Sequence, residues 1–99
     1  MASEKVILRW AERAVEQLEM LHAYVAEDNA RAADALVDRV IETAEKLIQF
    51  PLLGRDGRVP GTRELMLPGT PIILAYRAHK NSVQIIAVIH GARRWPDSF

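Results

Sequence analysis

The chain has 99 residues and zero net charge, and its shares of 49% hydrophobic and 26% charged residues suit one soluble domain, residues 1–99. The absence of cysteine excludes disulfides and thiolate chemistry, and the three histidines lack metal-ligand spacing, so we expect no metal and no cofactor. The N-terminus has no apolar signal core and no run is long enough to span a membrane, so we expect a cytoplasmic protein without membrane contact.

The first half of the chain predicts one strand and two helices. Residues 4–9 are typical of a short strand, and apolar residues at three- and four-residue steps then predict a helix over 10–27. Asp28 and Asn29 interrupt this pattern, and either side chain can cap a second helix that runs to about Phe50. Two helices joined by so short a turn are expected to pack antiparallel.

The second half predicts three strands after a loop. Residues 51–62 form a loop by their glycine and proline content, and strands follow at 63–67, 72–78 and 83–90. A Pro68-Gly69 turn joins the first two strands, and the last two are apolar on both faces, which places them centrally in the sheet. The order β-α-α-β-β-β predicts an α+β fold with a helical hairpin on a small, mostly antiparallel sheet.

Acidic and basic residues are unevenly divided along the chain. Residues 1–54 hold six bases and ten acids, whereas residues 55–99 hold seven bases and three acids. Either the second half meets an anion, or helix surfaces simply favour Glu and Asp. The first alternative predicts acidic helices and a basic sheet, with an anion site shared by four arginines: Arg63, Arg77, Arg93 and Arg94.

Five stretches, taken in order, carry a family resemblance. They are Tyr-Val-Ala-Glu-Asp-Asn (24–29), Phe-Pro-Leu-Leu-Gly-Arg (50–55), Gly-Thr-Arg-Glu-Leu (61–65), Ile-Ile-Leu-Ala-Tyr-Arg (72–77) and Ile-His-Gly-Ala-Arg-Arg (89–94). Together they resemble the RelE/ParE superfamily of bacterial toxins over nearly the whole chain.

The resemblance implies a RelE/ParE-like fold and a toxin of a type II toxin–antitoxin system. Such toxins are neutralised by a cognate antitoxin, and the complex contacts operator DNA through the antitoxin. RelE-like members cut messenger RNA in the ribosome as metal-independent endoribonucleases. ParE-like members lack that activity and poison DNA gyrase. A domain of this fold whose toxicity has decayed is a third alternative.

A nuclease would need a proton-transfer group and cations on the phosphate. His90 suits the first role, and Arg63, Arg77 and Arg93 suit the second. The alternative roles are structural: His90 would cap a turn, and Arg77 would pair with Glu64.

Two positions depart from the RelE-type pattern. Those nucleases carry an arginine where this chain has Ile73, three residues before Tyr76. They also carry a tyrosine where this chain has Phe99. The departures favour a ParE-like growth inhibitor that targets DNA gyrase, with Arg93, Arg94 and Trp95 as target contacts; a RelE-like endoribonuclease is the alternative.

Overall fold

The structure, a computed structural model, describes residues 5–91 of the chain. In chain order its elements are β1 (Ile7–Trp10), α1 (Glu12–Ala26), α2 (Ala30–Gln49), β2 (Arg55–Asp56), β3 (Arg63–Met66), β4 (Ile72–Ala78) and β5 (Ser82–His90). The predicted α+β fold is confirmed, because the two helices pack together on one face of a five-stranded sheet.

The two helices form the predicted antiparallel hairpin. His22 Nε2 lies 2.8 Å from Asp34 Oδ1, which ties the helices together near the turn. Asn29, and not Asp28, caps α2, since its side chain accepts a hydrogen bond from the Ala32 amide. No helix in residues 5–91 has the length and apolar character to cross a membrane.

The sheet has the strand order β1-β5-β4-β3-β2. β1 runs parallel to β5, whereas the other three pairings are antiparallel, as expected for a mostly antiparallel sheet. The parallel pair joins the first and last strands of the chain, so the long connection that parallel strands require consists of all the elements between them. β4 and β5 lie inside the sheet, which confirms the position expected from their apolar residues.

Two local expectations about the elements are wrong. Trp10 ends β1 and does not begin the first helix, which starts at Glu12. The predicted loop 51–62 contains the two-residue strand β2, which pairs with the start of β3. So short an edge strand leaves no alternating pattern in the sequence, so only the pairing reveals it.

The Pro68-Gly69 turn between β3 and β4 is formed as predicted. Gly69 has a φ of 76°, a conformation that glycine adopts without steric cost. The Arg39 guanidinium on α2 donates a hydrogen bond to the Pro68 carbonyl, which fixes this turn against the helical hairpin.

The two faces of the sheet differ in what covers them. The helix side holds the main core, in which Leu74, Tyr76 and Ile85 pack with residues of α1 and α2. The opposite side, here called the helix-free face, holds a separate small cluster that includes Ala75 and Ala87. A bulge shifts the register between Ala75 and Tyr76.

Candidate functional site

A buried tyrosine fixes the segment that follows α2. The Tyr76 hydroxyl accepts a hydrogen bond from the Gly54 amide at 2.8 Å and donates one to the Pro51 carbonyl at 2.9 Å. We call these three groups the tyrosine clamp. Arg63 adds a further bond, since its Nη1 donates to the Gly54 carbonyl at 2.8 Å. The segment between α2 and β2 is therefore anchored to the centre of the sheet.

The clamp leaves room for glycine alone at position 54. A Cβ atom at Gly54 would lie 2.7 Å from the Tyr76 ring and hydroxyl and 2.8 Å from the Glu64 carbonyl oxygen. Burial raises the pKa of the Tyr76 hydroxyl, against opposing effects of the Gly54 bond and of the nearby Arg63 charge. A hydroxyl that is buried, neutral and bonded on both sides is a structural group and not a proton-transfer group.

The clamped segment presents large apolar side chains to solvent. Phe50, Leu52 and Leu53 are 59%, 66% and 50% exposed, and we call them the apolar platform. Ile48 at the end of α2 and Met66 at the end of β3 are also partly exposed. Large apolar side chains that an anchored backbone holds exposed are typical of a surface that binds a partner.

The expected pairing of Arg77 with Glu64 is wrong. Glu64 is buried, and its carboxylate accepts a hydrogen bond from the Arg58 amide at 2.7 Å. Its second oxygen lies 3.3 Å from Arg55 Nη2. Glu64 is thus directed toward β2 and the loop after it, and Arg77 has no hydrogen bond or ion pair to any side chain of residues 5–91.

The predicted division of charge between helices and sheet is confirmed for the described residues. α1 carries three acids and one base, and α2 carries four acids and three bases. The five strands carry four arginines and two acids.

The prediction of one anion site shared by Arg63 and Arg77 is wrong. Arg63 lies opposite Tyr76 in the β3–β4 pairing, so it shares the helix side of the sheet. Arg77 is the next residue after Tyr76 and lies on the helix-free face, because successive strand residues alternate between faces. Arg63 Nη1 also donates a hydrogen bond to the Gly54 carbonyl and lies 3.9 Å from Asp56 Oδ1. An open cleft of about 350 Å³ beside Arg63 is lined by the segment from Asp56 to Arg63 and by Ala78 on β4.

His90 lies at the other end of the sheet from these arginines. It pairs with Ile72 at the start of β4, whereas Arg63 and Arg77 align with the end of that strand. Five residue-to-residue steps along the strand lead from Ile72 to Arg77, which is roughly 16 Å at the rise of about 3.3 Å per residue. General acid–base catalysis needs its groups within hydrogen-bonding reach of one reacting atom. His90, Arg63 and Arg77 do not form such a constellation.

The remaining predicted positions divide between the sheet interior and the C-terminal residues. Ile73, which replaces the nuclease arginine, is buried on the helix-free side of β4 and offers no polar group. Arg93, Arg94, Trp95 and Phe99 lie outside the described residues. No group of three or more metal-ligating side chains occurs within residues 5–91.

The tyrosine clamp was not predicted from the sequence. The available signal was a tyrosine that follows four apolar residues of a predicted central strand, because a buried tyrosine hydroxyl requires a hydrogen-bonding partner. Its partners, Pro51 and Gly54, are more than 20 residues distant in sequence, and only the fold brings them together.

Comparison with known proteins agrees with this fold. The sequence model of the family described as "ParE toxin of type II toxin-antitoxin system, parDE" matches residues 8–95. The protein Y4kP of Sinorhizobium fredii, named as a candidate toxin, is 37% identical over 89 residues, which are 90% of this chain and 92% of that protein.

Two solved structures share the architecture. A structure titled "Chromosomal ParDE TA system from P. aeruginosa" superposes with a TM-score of 0.78 at 25% identity, covering 89% of this chain and 98% of that one. A chain of the intact E. coli RelBE toxin–antitoxin complex gives a TM-score of 0.58 at 18% identity, covering 90% and 99%, and shows the fold alone. The family match spans most of the sequence, and the chain therefore belongs to the ParE toxin family of type II toxin–antitoxin systems.

Proposed function

We propose that this protein is a ParE-like growth inhibitor that acts by binding DNA gyrase and that a cognate antitoxin neutralises it. The observation that carries the proposal is the match to the ParE family over residues 8–95. The dispersed arrangement of His90, Arg63 and Arg77 supports a mode of action by binding and not by RNA cleavage.

The apolar platform is the surface on which we place the antitoxin. Its three side chains are half or more exposed, although the tyrosine clamp holds their backbone in one position. A fixed backbone lowers the entropy lost on binding, because the loop is already ordered before the partner arrives. An antitoxin segment with apolar side chains would remove this surface from water.

The target contacts are proposed at the end of the chain. Arg93, Arg94 and Trp95 combine two guanidinium groups with a large aromatic ring, the residue types that dominate the energetics of protein interfaces. Neither a metal nor a cofactor is needed for this mode of action. Operator DNA would be reached through the antitoxin in the repressing complex.

One experiment separates the two modes of toxicity. The full chain is incubated with gyrase and supercoiled plasmid, and separately with ribosomes translating a defined messenger RNA. We expect linear DNA trapped on gyrase in the first reaction and intact messenger RNA in the second. Messenger RNA cleaved on the ribosome, with gyrase unaffected, would contradict the proposal.

Two variants sharpen this comparison. The double change Arg93→Ala and Arg94→Ala is expected to reduce gyrase poisoning by at least tenfold, the effect of losing roughly 1.4 kcal/mol or more of interface energy. His90→Ala is expected to change poisoning only modestly, since no reacting atom needs a proton. Loss of toxicity in His90→Ala, with folding and antitoxin binding retained, would instead indicate catalysis.

A further inference from the structure

Three long polar side chains form a row across the helix-free face. Arg9 on β1 is the register partner of Gln84 on β5, and Gln84 is the register partner of Arg77 on β4. Register partners share a face, so the three side chains lie side by side across three adjacent strands. We call them the cationic row. Its two arginines are two strand spacings apart, roughly 10 Å.

The arginines of the cationic row have no partner within the described part of the chain. Neither Arg9 nor Arg77 forms a hydrogen bond or ion pair with a side chain of residues 5–91. Glu64, the one acid that the strand register places on this face, is held by Arg55 and the Arg58 amide. Arg77 is also partly buried, so part of its hydration is already lost, and a bound anion would compensate for that loss.

We propose that the cationic row binds the phosphodiester backbone of duplex DNA. Arginine and glutamine are both side chains that commonly contact phosphate oxygens, and arginine can do so through two hydrogen bonds. A duplex presents phosphates continuously, so two guanidinium groups about 10 Å apart can each engage one without a shaped pocket.

The composition of the face distinguishes a duplex from a single-stranded nucleic acid. Single strands are recognised by stacking of unpaired bases on aromatic rings. Trp10 and Tyr76 are both on the helix side, and no aromatic residue of strands β1–β5 lies on the helix-free face. The row therefore suits contact with the backbone and not with bases.

The charge of the rest of the molecule favours approach of a duplex from the helix-free face. The whole chain has zero net charge, and both described helices carry more acids than bases. The rest of the surface consequently attracts a duplex little, and the acidic helix side disfavours it, so the expected contact is confined to the cationic row. The inference goes beyond the proposed gyrase target and beyond operator contact through the antitoxin.

The test measures binding of the full chain to a labelled 20-base-pair duplex, by fluorescence anisotropy over a series of salt concentrations. Each contacted phosphate contributes about 0.9 to the slope of log affinity against log salt. We expect Arg9→Gln and Arg77→Gln each to lower that slope by about 0.9, and affinity in 0.1 M salt by roughly eightfold. Gln84→Glu, which places a carboxylate between the arginines, is expected to abolish binding.

The matched control is Arg31→Gln, which removes one exposed arginine from the first turn of α2 on the other side of the molecule. It is expected to leave both slope and affinity unchanged, and thermal melting confirms that every variant is folded. Equal losses in Arg31→Gln and Arg77→Gln would overturn the proposal, as would no loss in Arg77→Gln. Tighter binding of a single-stranded RNA 20-mer or a glutamate-rich peptide would also overturn it. No gyrase is present, so these outcomes are independent of the proposed function.

Discussion

At the scale of single residues, the Tyr76 hydroxyl satisfies two backbone groups that have no strand or helix partner. The hydroxyl accepts a hydrogen bond from the Gly54 amide and donates one to the Pro51 carbonyl. It thus supplies the partners that a helix or strand would otherwise give these backbone groups. Gly54 is required at this point because a Cβ atom would overlap the tyrosine ring. The stretches at 50–55 and 72–77 therefore act together to hold the segment after α2 on the sheet.

Replacing Tyr76 with phenylalanine tests the clamp. We expect the free energy of unfolding to fall by about 1–3 kcal/mol, because the Gly54 amide and the Pro51 carbonyl lose their partner. Urea denaturation measures the change. Tyr24→Phe is the matched control, since Tyr24 is 70% exposed and its substitution should leave the midpoint unchanged. Identical midpoints for Tyr76→Phe and the unchanged protein would contradict the role of the clamp.

The buried tyrosine also predicts a loss of stability in alkaline solution. The pKa of Tyr76 in the folded state is raised above the ordinary value of 10.0, mainly by burial. Above that pH the unfolded chain releases the proton while the folded chain keeps it, so ionisation favours unfolding. The stability that the protonated Tyr76 contributes is fully present below pH 10.0 and is lost as the pH rises through the folded-state pKa.

The measurement is urea denaturation between pH 8 and pH 11, compared with Tyr76→Phe. The unchanged protein is expected to lose stability more steeply above its ordinary tyrosine pKa of 10.0 than the variant does. Parallel curves for the two proteins would show that Tyr76 does not titrate with a raised pKa.

At the scale of elements, the start of α2 depends on one side chain. Asn29 accepts a hydrogen bond from the Ala32 amide, which would otherwise lack a partner in the first turn. Asn29→Ala is expected to lower the free energy of unfolding by about 1 kcal/mol, whereas Asp28→Ala should have little effect. Thermal melting of both variants checks this. A larger loss for Asp28→Ala would mean that the cap is misassigned.

A glutamine completes the sheet where β1 ends. β1 pairs with β5 only as far as Ile85, and the Val88 amide beyond it donates to Gln17 Oε1 at 2.8 Å. A side chain of α1 thus takes the place of a strand. This contact protects part of a strand edge that would otherwise be available to another chain.

At the scale of the whole molecule, two surfaces with different chemistry lie on one small fold. The apolar platform follows α2, whereas the cationic row crosses the helix-free face of the sheet. The first surface suits a partner that covers apolar side chains, and the second suits an anion.

Antitoxin binding through the platform predicts a gain in thermal stability. Antitoxin at 100 times its dissociation constant should stabilise the folded toxin by about 2.7 kcal/mol, because it binds only the native state. The double change Leu52→Ser and Leu53→Ser should reduce this gain while leaving the free protein folded, since both side chains are largely exposed. Melting curves with and without antitoxin measure both effects.

Met20→Ser is the control for that experiment. Met20 is 68% exposed on α1 and is not part of the apolar platform, so its substitution should leave the stabilisation unchanged. No stabilisation of the unchanged protein by its antitoxin would refute the partnership. An equal loss of stabilisation in Met20→Ser would show that the antitoxin does not depend on the apolar platform.

The sequence alone determined the helices, the three longer antiparallel strands and the family. These follow from local chemistry: apolar periodicity, a capping asparagine, a proline after α2 and a glycine turn each act over a few residues. The inside positions of β4 and β5 were also predictable, because their residues are apolar on both faces.

Only the tertiary structure decided which side chains share a face. Arg63 and Arg77 are both basic residues of neighbouring strands, but register places them on opposite sides of the sheet. The cationic row joins Arg9 to Arg77 across 68 positions of sequence through Gln84. Register, the bulge after Ala75 and the pairing of β1 with β5 are set by long-range packing, and a shift of one residue would reverse every face.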